Sequence, residues 1–135
     1  MPTLLEIVSP DRLLLSQPVD MAVIPAAEGE MGVLPGHSPM IVLLRGGTIT
    51  LHEGGRATSR LYVSGGFAEV TPERCTVLAD EAIPVGEVSR KVADGRLAEA
   101  DAAYAAANKL DIPALDAIMA RQQAARAMVA AAEAP

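Results

Sequence analysis

The sequence has no tryptophan, two tyrosines and one phenylalanine in 135 residues. Tyr62, Phe67 and Tyr104 cannot line an aromatic pocket or build a platform on which bases stack. The net charge of −6 leaves no basic patch either. Nucleic-acid binding is not expected on both counts. Cys75 is the only cysteine, so no internal disulfide can form. The alternation in Arg74-Cys75-Thr76-Val77-Leu78 puts it on a strand, as a buried structural thiol in a reducing compartment. No stretch is apolar for the roughly 18 residues that a membrane span needs. No positively charged start followed by an apolar run marks a signal peptide. Such a chain reaches a membrane only through something else that holds it there.

Catalytic groups are equally scarce. His37 and His52 are the two histidines. No second histidine, cysteine or close carboxylate pair completes a metal-ligand spacing around either. Ser38 beside His37 is not a triad. Gly46-Gly47 and Gly65-Gly66 precede no helix and lack the lysine of a phosphate loop, and they read as strand turns. No catalytic residue, cofactor or metal is expected.

Half the residues are hydrophobic, which is ample for a core filled by aliphatic side chains and alanine. Residues 1 to about 86 alternate with a period of two. Leu5 and Ile7, Leu13 and Leu15, Thr48–His52, Arg60–Ser64, Phe67–Val70 and Thr76–Ala79 read as strands. Met21, Val23 and Pro25 alternate weakly, and Met40–Leu44 is a short buried run. Turn signals fall at Ser9-Pro10-Asp11, Gln17-Pro18, Gly46-Gly47, Glu53-Gly54-Gly55, Ser64-Gly65-Gly66 and Thr71-Pro72-Glu73. Gly54-Gly55 is a hairpin tip. Short strands at this spacing predict an antiparallel β-sandwich or barrel.

After Gly86 the composition changes. Seventeen of the thirty-seven residues from Ala98 to Ala134 are alanine, the best helix former. Leu97, Ala100, Tyr104 and Ala107 share one helical face, and Leu115, Ile118, Met119, Ala125 and Val129 another. Asp111 is a good N-cap ahead of Pro113. The expectation is a helical hairpin, about 87–110 and 112–132, appended as a second domain: 1–86 sandwich, 87–135 helices. Its alanine faces bury little area, so the hairpin is expected to be the less stable half, able to detach.

Glu28-Gly29-Glu30-Met31-Gly32-Val33-Leu34-Pro35-Gly36-His37-Ser38-Pro39 reads as a stiff, shaped surface loop. Its carboxylates have a plain alternative reading as solvated charges, and His37 as a cap on its own turn. On the residues alone the chain is a non-enzymatic β domain with a helical appendage and a presented loop.

That loop is similar to the "EGE-G-(aliphatic)-x-PGH-x-P" segment of the epsilon subunit family of F-type ATP synthases, called delta in mitochondria. Ile7-Val8-Ser9-Pro10-Asp11-Arg12, Leu44-Arg45-Gly46-Gly47, Ser64-Gly65-Gly66-Phe67-Ala68-Glu69-Val70 and Cys75-Thr76-Val77-Leu78-Ala79-Asp80-Glu81-Ala82 resemble further family motifs in the family's order. The likeness covers residues 4 to about 82 closely and the helical end by layout. It implies a flattened β-sandwich of about ten strands followed by two antiparallel helices. It further implies a non-catalytic rotor subunit of the central stalk, joining the catalytic head and gamma to the proton-driven c ring. The implied partners are gamma and the c-ring subunits, with the alpha and beta catalytic subunits reached through the helices. The implied location is the cytoplasmic face of the bacterial plasma membrane, peripheral, within F1. Glu30, Gly32, Pro35, Gly36 and His37 correspond to the c-ring contact. Some relatives bind ATP through an "(I/L)-D-x-x-R-A" motif at the first helix. Ser89 stands here where the aspartate belongs, the arginine spacing is lost and Asp94-Gly95-Arg96 does not restore it, so no tight ATP binding is expected. Arg121 and Arg126 are the candidate regulatory cations of the second helix. The rival reading is a free-standing β-sandwich module for a small ligand or protein.

Overall fold

A computed structural model of the chain describes residues 2–133. Among the described residues ten strands form one continuous sheet, followed by two helices. The strands are β1 (Thr3–Val8), β2 (Leu13–Val19), β3 (Met21–Ala26), β4 (Gly29–Val33), β5 (Met40–Leu44), β6 (Gly47–Glu53), β7 (Arg56–Val63), β8 (Gly66–Val70), β9 (Arg74–Ala79) and β10 (Ala82–Pro84). Their order is β10-β7-β6-β3-β5-β8-β9-β1-β2, with β4 paired to β3. The sheet curls over one core, to which β1, β3, β6, β8 and β9 each contribute fully buried residues such as Leu5, Ile24, Leu51, Ala68 and Val77. Every pair is antiparallel except β1 with β9. The expected sandwich of about ten strands is therefore present, with one parallel pair inside it.

The period-two reading holds best where one face is wet. β1 alternates strictly: Thr3, Leu5 and Ile7 are buried while Leu4, Glu6 and Val8 are half-exposed. Cys75 lies in the core, and burial pushes its thiol up to about 11, which keeps it neutral and unreactive. Gly54-Gly55 forms the tip of the β6–β7 hairpin.

Four expectations are corrected. Gln17-Pro18 is not a turn but the end of β2, where Pro18 faces Leu4. β2 closes the sheet order, and an edge strand needs no N–H on its outer side. Gly29–Val33 is not loop but strand β4, so the shaped loop shrinks to residues 34–39. Met40–Leu44 is not buried throughout: Ile41 is 72% and Leu43 67% exposed, while Val42 and Leu44 face the core. Met119 does not join the buried face of the second helix either.

α1 (Arg90–Ala106) and α2 (Ile112–Glu133) are linked to β10 by a 3₁₀ turn at Val85–Glu87. α1 thus starts later than expected, because Ser89 caps it: the Val92 N–H donates to Ser89 Oγ at 3.2 Å. Asp111 caps α2 as expected, accepting from the Ala114 N–H at 3.3 Å. The helices run antiparallel. Arg90 pairs with Glu133 at 3.0 Å, and Gln122 Nε2 donates to Asp101 at 2.9 Å. Ala93, Met128 and Ala131 pack on Tyr62 of β7 in a second, smaller core, separate from that of the sheet. The hairpin therefore sits on the sandwich.

Candidate functional site

The strand register sets out three regions. At one end of β5, Met40 lies opposite Val70, and Val70 opposite Cys75. The loop at 34–39 enters here. Its Gly36 N–H donates to the Pro72 carbonyl at 2.8 Å, tying it to the 71–73 turn. Gly36 adopts φ +81°, a conformation open to glycine and resisted by any β-branched residue. His37 Nδ1 lies 2.8 Å from the Ser38 carbonyl. A carbonyl can only accept, so Nδ1 is the donor here and Nε2 is left free to bond outside the loop. The turn-cap reading of His37 is thus satisfied, with one ring nitrogen still on offer. Glu30 and Gly32 share the outward face of β4, with Met31 and Val33 turned inward. The five candidate contact residues accordingly come from two elements: Glu30 and Gly32 from a strand, Pro35, Gly36 and His37 from the loop.

The second region was not legible as a site. Leu43 lies opposite Phe67, Phe67 opposite Leu78, and Leu78 opposite Val8. Leu43, Phe67 and Leu78 are all exposed on the outer face of the sheet, with Ile41 alongside. One register step away, Val42, Ala68, Val77 and Ile7 form the corresponding inward row. Exposed apolar side chains standing side by side across the middle of a sheet are candidates for an interaction surface. The run Met40–Leu44 carried the signal, but an apolar run reads alike whether its second face meets a core or a partner.

The third region is the seat of the hairpin. A cleft of about 480 Å³ opens between sheet and helices, lined by Tyr62, Ser64, Asp80, Glu81, Arg96, Glu99 and Arg121 among others. Arg96 grips Glu81 through its two terminal guanidinium nitrogens, at 2.5 and 3.0 Å. The hydrogen bonds from Arg96 hold the Glu81 carboxyl below its usual range and raise Arg96 in turn. Burial, then the charge of Glu81, pushes the Tyr62 hydroxyl up to about 12. Of the two candidate regulatory cations, Arg121 lines this cleft, whereas Arg126 lies 3.9 Å from Asp101 on α1. The structure therefore does not gather them at one point. Among the described residues no group of three or more His, Cys, Asp or Glu could hold a metal ion. No described helix is long and apolar enough to cross a membrane.

A small β-sandwich that offers an apolar face and a pinned end loop, and carries a helical hairpin, is a recognisable class of subunit. The family described as the ATP synthase delta/epsilon chain β-sandwich domain matches residues 3–85. A protein of Granulibacter bethesdensis named ATP synthase epsilon chain is 70% identical over 130 residues, 96% of each chain. A protein of the same name from Gluconacetobacter diazotrophicus is 48% identical over 135 residues, all of this chain and 96% of that one. A chain of the Euglena gracilis mitochondrial ATP synthase, solved with OSCP, F1 and the c ring, superposes with a TM-score of 0.77 at 26% identity. That match covers 96% of this chain and 81% of the other. A chain from the central stalk and c ring of the Tetrahymena thermophila mitochondrial enzyme shares the fold, with a TM-score of 0.67 at 12% identity over 98% and 97% of the two chains. The chain belongs to the ATP synthase delta/epsilon chain family.

Proposed function

We propose that the chain is the epsilon subunit of a bacterial F-type ATP synthase, a non-catalytic part of the central stalk. In this reading it turns with gamma and links the catalytic head to the c ring on the cytoplasmic face of the plasma membrane. The observation that carries it is the presence on one sheet of both an exposed apolar strip and an end loop pinned to the 71–73 turn. The strip Leu43–Phe67–Leu78 seats gamma, and Glu30, Gly32, Pro35, Gly36 and His37 meet the polar loops of the c ring. β5 leads from the loop end into the strip: Met40 adjoins the loop, and Leu43 stands three residues on, about 10 Å at roughly 3.3 Å each. A rotor link needs such a spacer: stiff, with unlike surfaces along its length. The rival reading as a free-standing module for a small ligand lacks an aromatic-lined pocket.

The sandwich (1–86) and hairpin (87–135) act as separate domains, the first for assembly and the second for contact with the alpha and beta subunits. Tight ATP binding is not part of the proposal. Ser89 is spent as a helix cap and Arg96 on Glu81, so neither is free for a nucleotide. Arg121 and Arg126 supply at most weak regulatory contacts.

The test is Leu43→Asp in the full-length chain, titrated into complex depleted of this subunit. A carboxylate pressed into an apolar interface should weaken association at least about a hundredfold while leaving the fold intact. Unchanged association would remove the strip from the interface and the proposal with it.

A further inference from the structure

Gln123 is a polar residue on an alanine-rich helix, and its amide points at the sheet. Gly46 N–H donates to Gln123 Oε1 at 2.9 Å, and Gln123 Nε2 donates to the Gly46 carbonyl at 2.6 Å. One side-chain amide thus pairs with both backbone groups of a single residue, as a neighbouring strand would. Gly46 permits the approach because it has no side chain. A Cβ there would stand 2.5 Å from Ala124 Cα and 2.9 Å from Ala124 Cβ, closer than non-bonded carbons approach, so the helix would have to shift. The next helix residue is fastened too, since Tyr62 Oη donates to the Ala124 carbonyl at 3.0 Å. Thr48, two residues beyond Gly46, lies opposite Tyr62, so both contacts arise from one corner of the sheet.

We infer that the Gln123 amide and the Gly46 backbone form an uncharged clasp that sets the seat of the helical hairpin on the sandwich. The Arg96–Glu81 ion pair is secondary in this arrangement. Its side chains are 42% and 34% exposed, so water and salt weaken it. The clasp is partly buried and carries no net charge, so salt leaves it alone. Release would move the hairpin as a unit about residues 85–89, because Arg90–Glu133 and Asp101–Gln122 join α1 to α2 without touching the sheet. Nothing in the clasp depends on the partners proposed above.

The exchange Gln123→Glu tests it. Glutamate has the same shape and still accepts from the Gly46 N–H, but it cannot donate to the Gly46 carbonyl and sets a charge against it. A seat made by packing alone would not register the change. The readout is the rate at which N-acetylimidazole acetylates Tyr62, measured by mass spectrometry on the full-length chain. Hydrogen exchange in β1, β8 and β9 reports whether the sandwich is intact. Gln123→Glu and Gly46→Ala should each raise the Tyr62 rate about tenfold or more, the loss of one or two partly buried hydrogen bonds. Glu81→Gln should raise it less than about threefold, and salt from about 0.05 to about 1 M should change the parent little. If Gly46→Ala proves poorly folded, Gln123→Glu carries the test, since Gln123 lies outside the sandwich core. A Gln123→Glu rate within about twofold of the parent, with the sandwich protected, would overturn the inference; so would a tenfold release by salt alone.

Discussion

The two halves of the chain hold together by different means. The sandwich wraps one core of branched aliphatic residues, including Leu5, Ile7, Ile24, Ile49 and Leu51 at full burial. The hairpin buries chiefly alanines and one methionine, and it depends on a few directed contacts to the sheet. A core distributes its stabilisation over many side chains, whereas a seat concentrates it in a few. The sandwich should therefore fail all at once and the hairpin locally, with the sandwich still folded.

Leu51→Ala should break the contrast most severely. It empties space in the main core and should cost about 2–5 kcal/mol of global stability, read by chemical denaturation. An effect confined to the helices would show that the two cores are not separate. Gly36→Val should cost less, about 1–2 kcal/mol, because a β-branched residue resists the positive φ found there. Its larger consequence should be weaker attachment of the head to the membrane sector, through distortion of the loop that carries His37. Full coupling of proton flow to synthesis in that variant would show that the loop does not set the contact. Asp111→Ala removes the cap of α2 and should cost about 1 kcal/mol within the hairpin alone, visible as faster exchange in the first turn of α2. Faster exchange in the sheet would contradict the separation.

Much of this contrast was legible in the residues. Strict alternation in β1 and β6, the glycine tip at 54–55 and the Asp111 cap marked the elements and the change of grammar near residue 86. Misreadings arose where one local signal serves two structures. Proline at position 18 marks a turn or an edge strand, and only the pairing of the sheet decides. Glycines at 29 and 32 suggest a loop, yet both fit a strand whose neighbour β3 supplies the partners. The exposed strip across β5, β8 and β9 joins one strand to a later hairpin, so no single stretch could disclose it. The Gln123–Gly46 contact spans 77 residues and leaves no periodic trace.

The smallest expected effect is on pH. Tyr62 has its hydroxyl pushed up to about 12 in the folded chain. A group whose pKa rises on folding stabilises the seated hairpin below its ordinary pKa. That contribution is lost as pH climbs from about 10 to about 12. Glu81 and Arg96 face the same hydroxyl, with Asp80, Glu99 and Arg121 lining the cleft, and Glu81 is the acid whose charge opposes ionisation. A Tyr104→Phe variant leaves Tyr62 as the only tyrosine, so its absorbance can be titrated directly. An ordinary tyrosine titration would mean that the hairpin is not seated in solution. Glu81 acts in the opposite direction. Its lowered pKa contributes above the ordinary carboxylate range, and the contribution fades as acid protonates it.

The division of contacts over one rigid sheet is tested most directly by site-specific crosslinking in the assembled complex. A photoreactive residue placed in turn at positions 37, 43 and 119 of the full-length chain would be activated and its adducts identified by mass spectrometry. Position 37 should mark the c ring and position 43 should mark gamma, while position 119, on the exposed side of α2, should mark neither. Adducts of position 43 with the c ring, or of position 37 with gamma alone, would contradict the account.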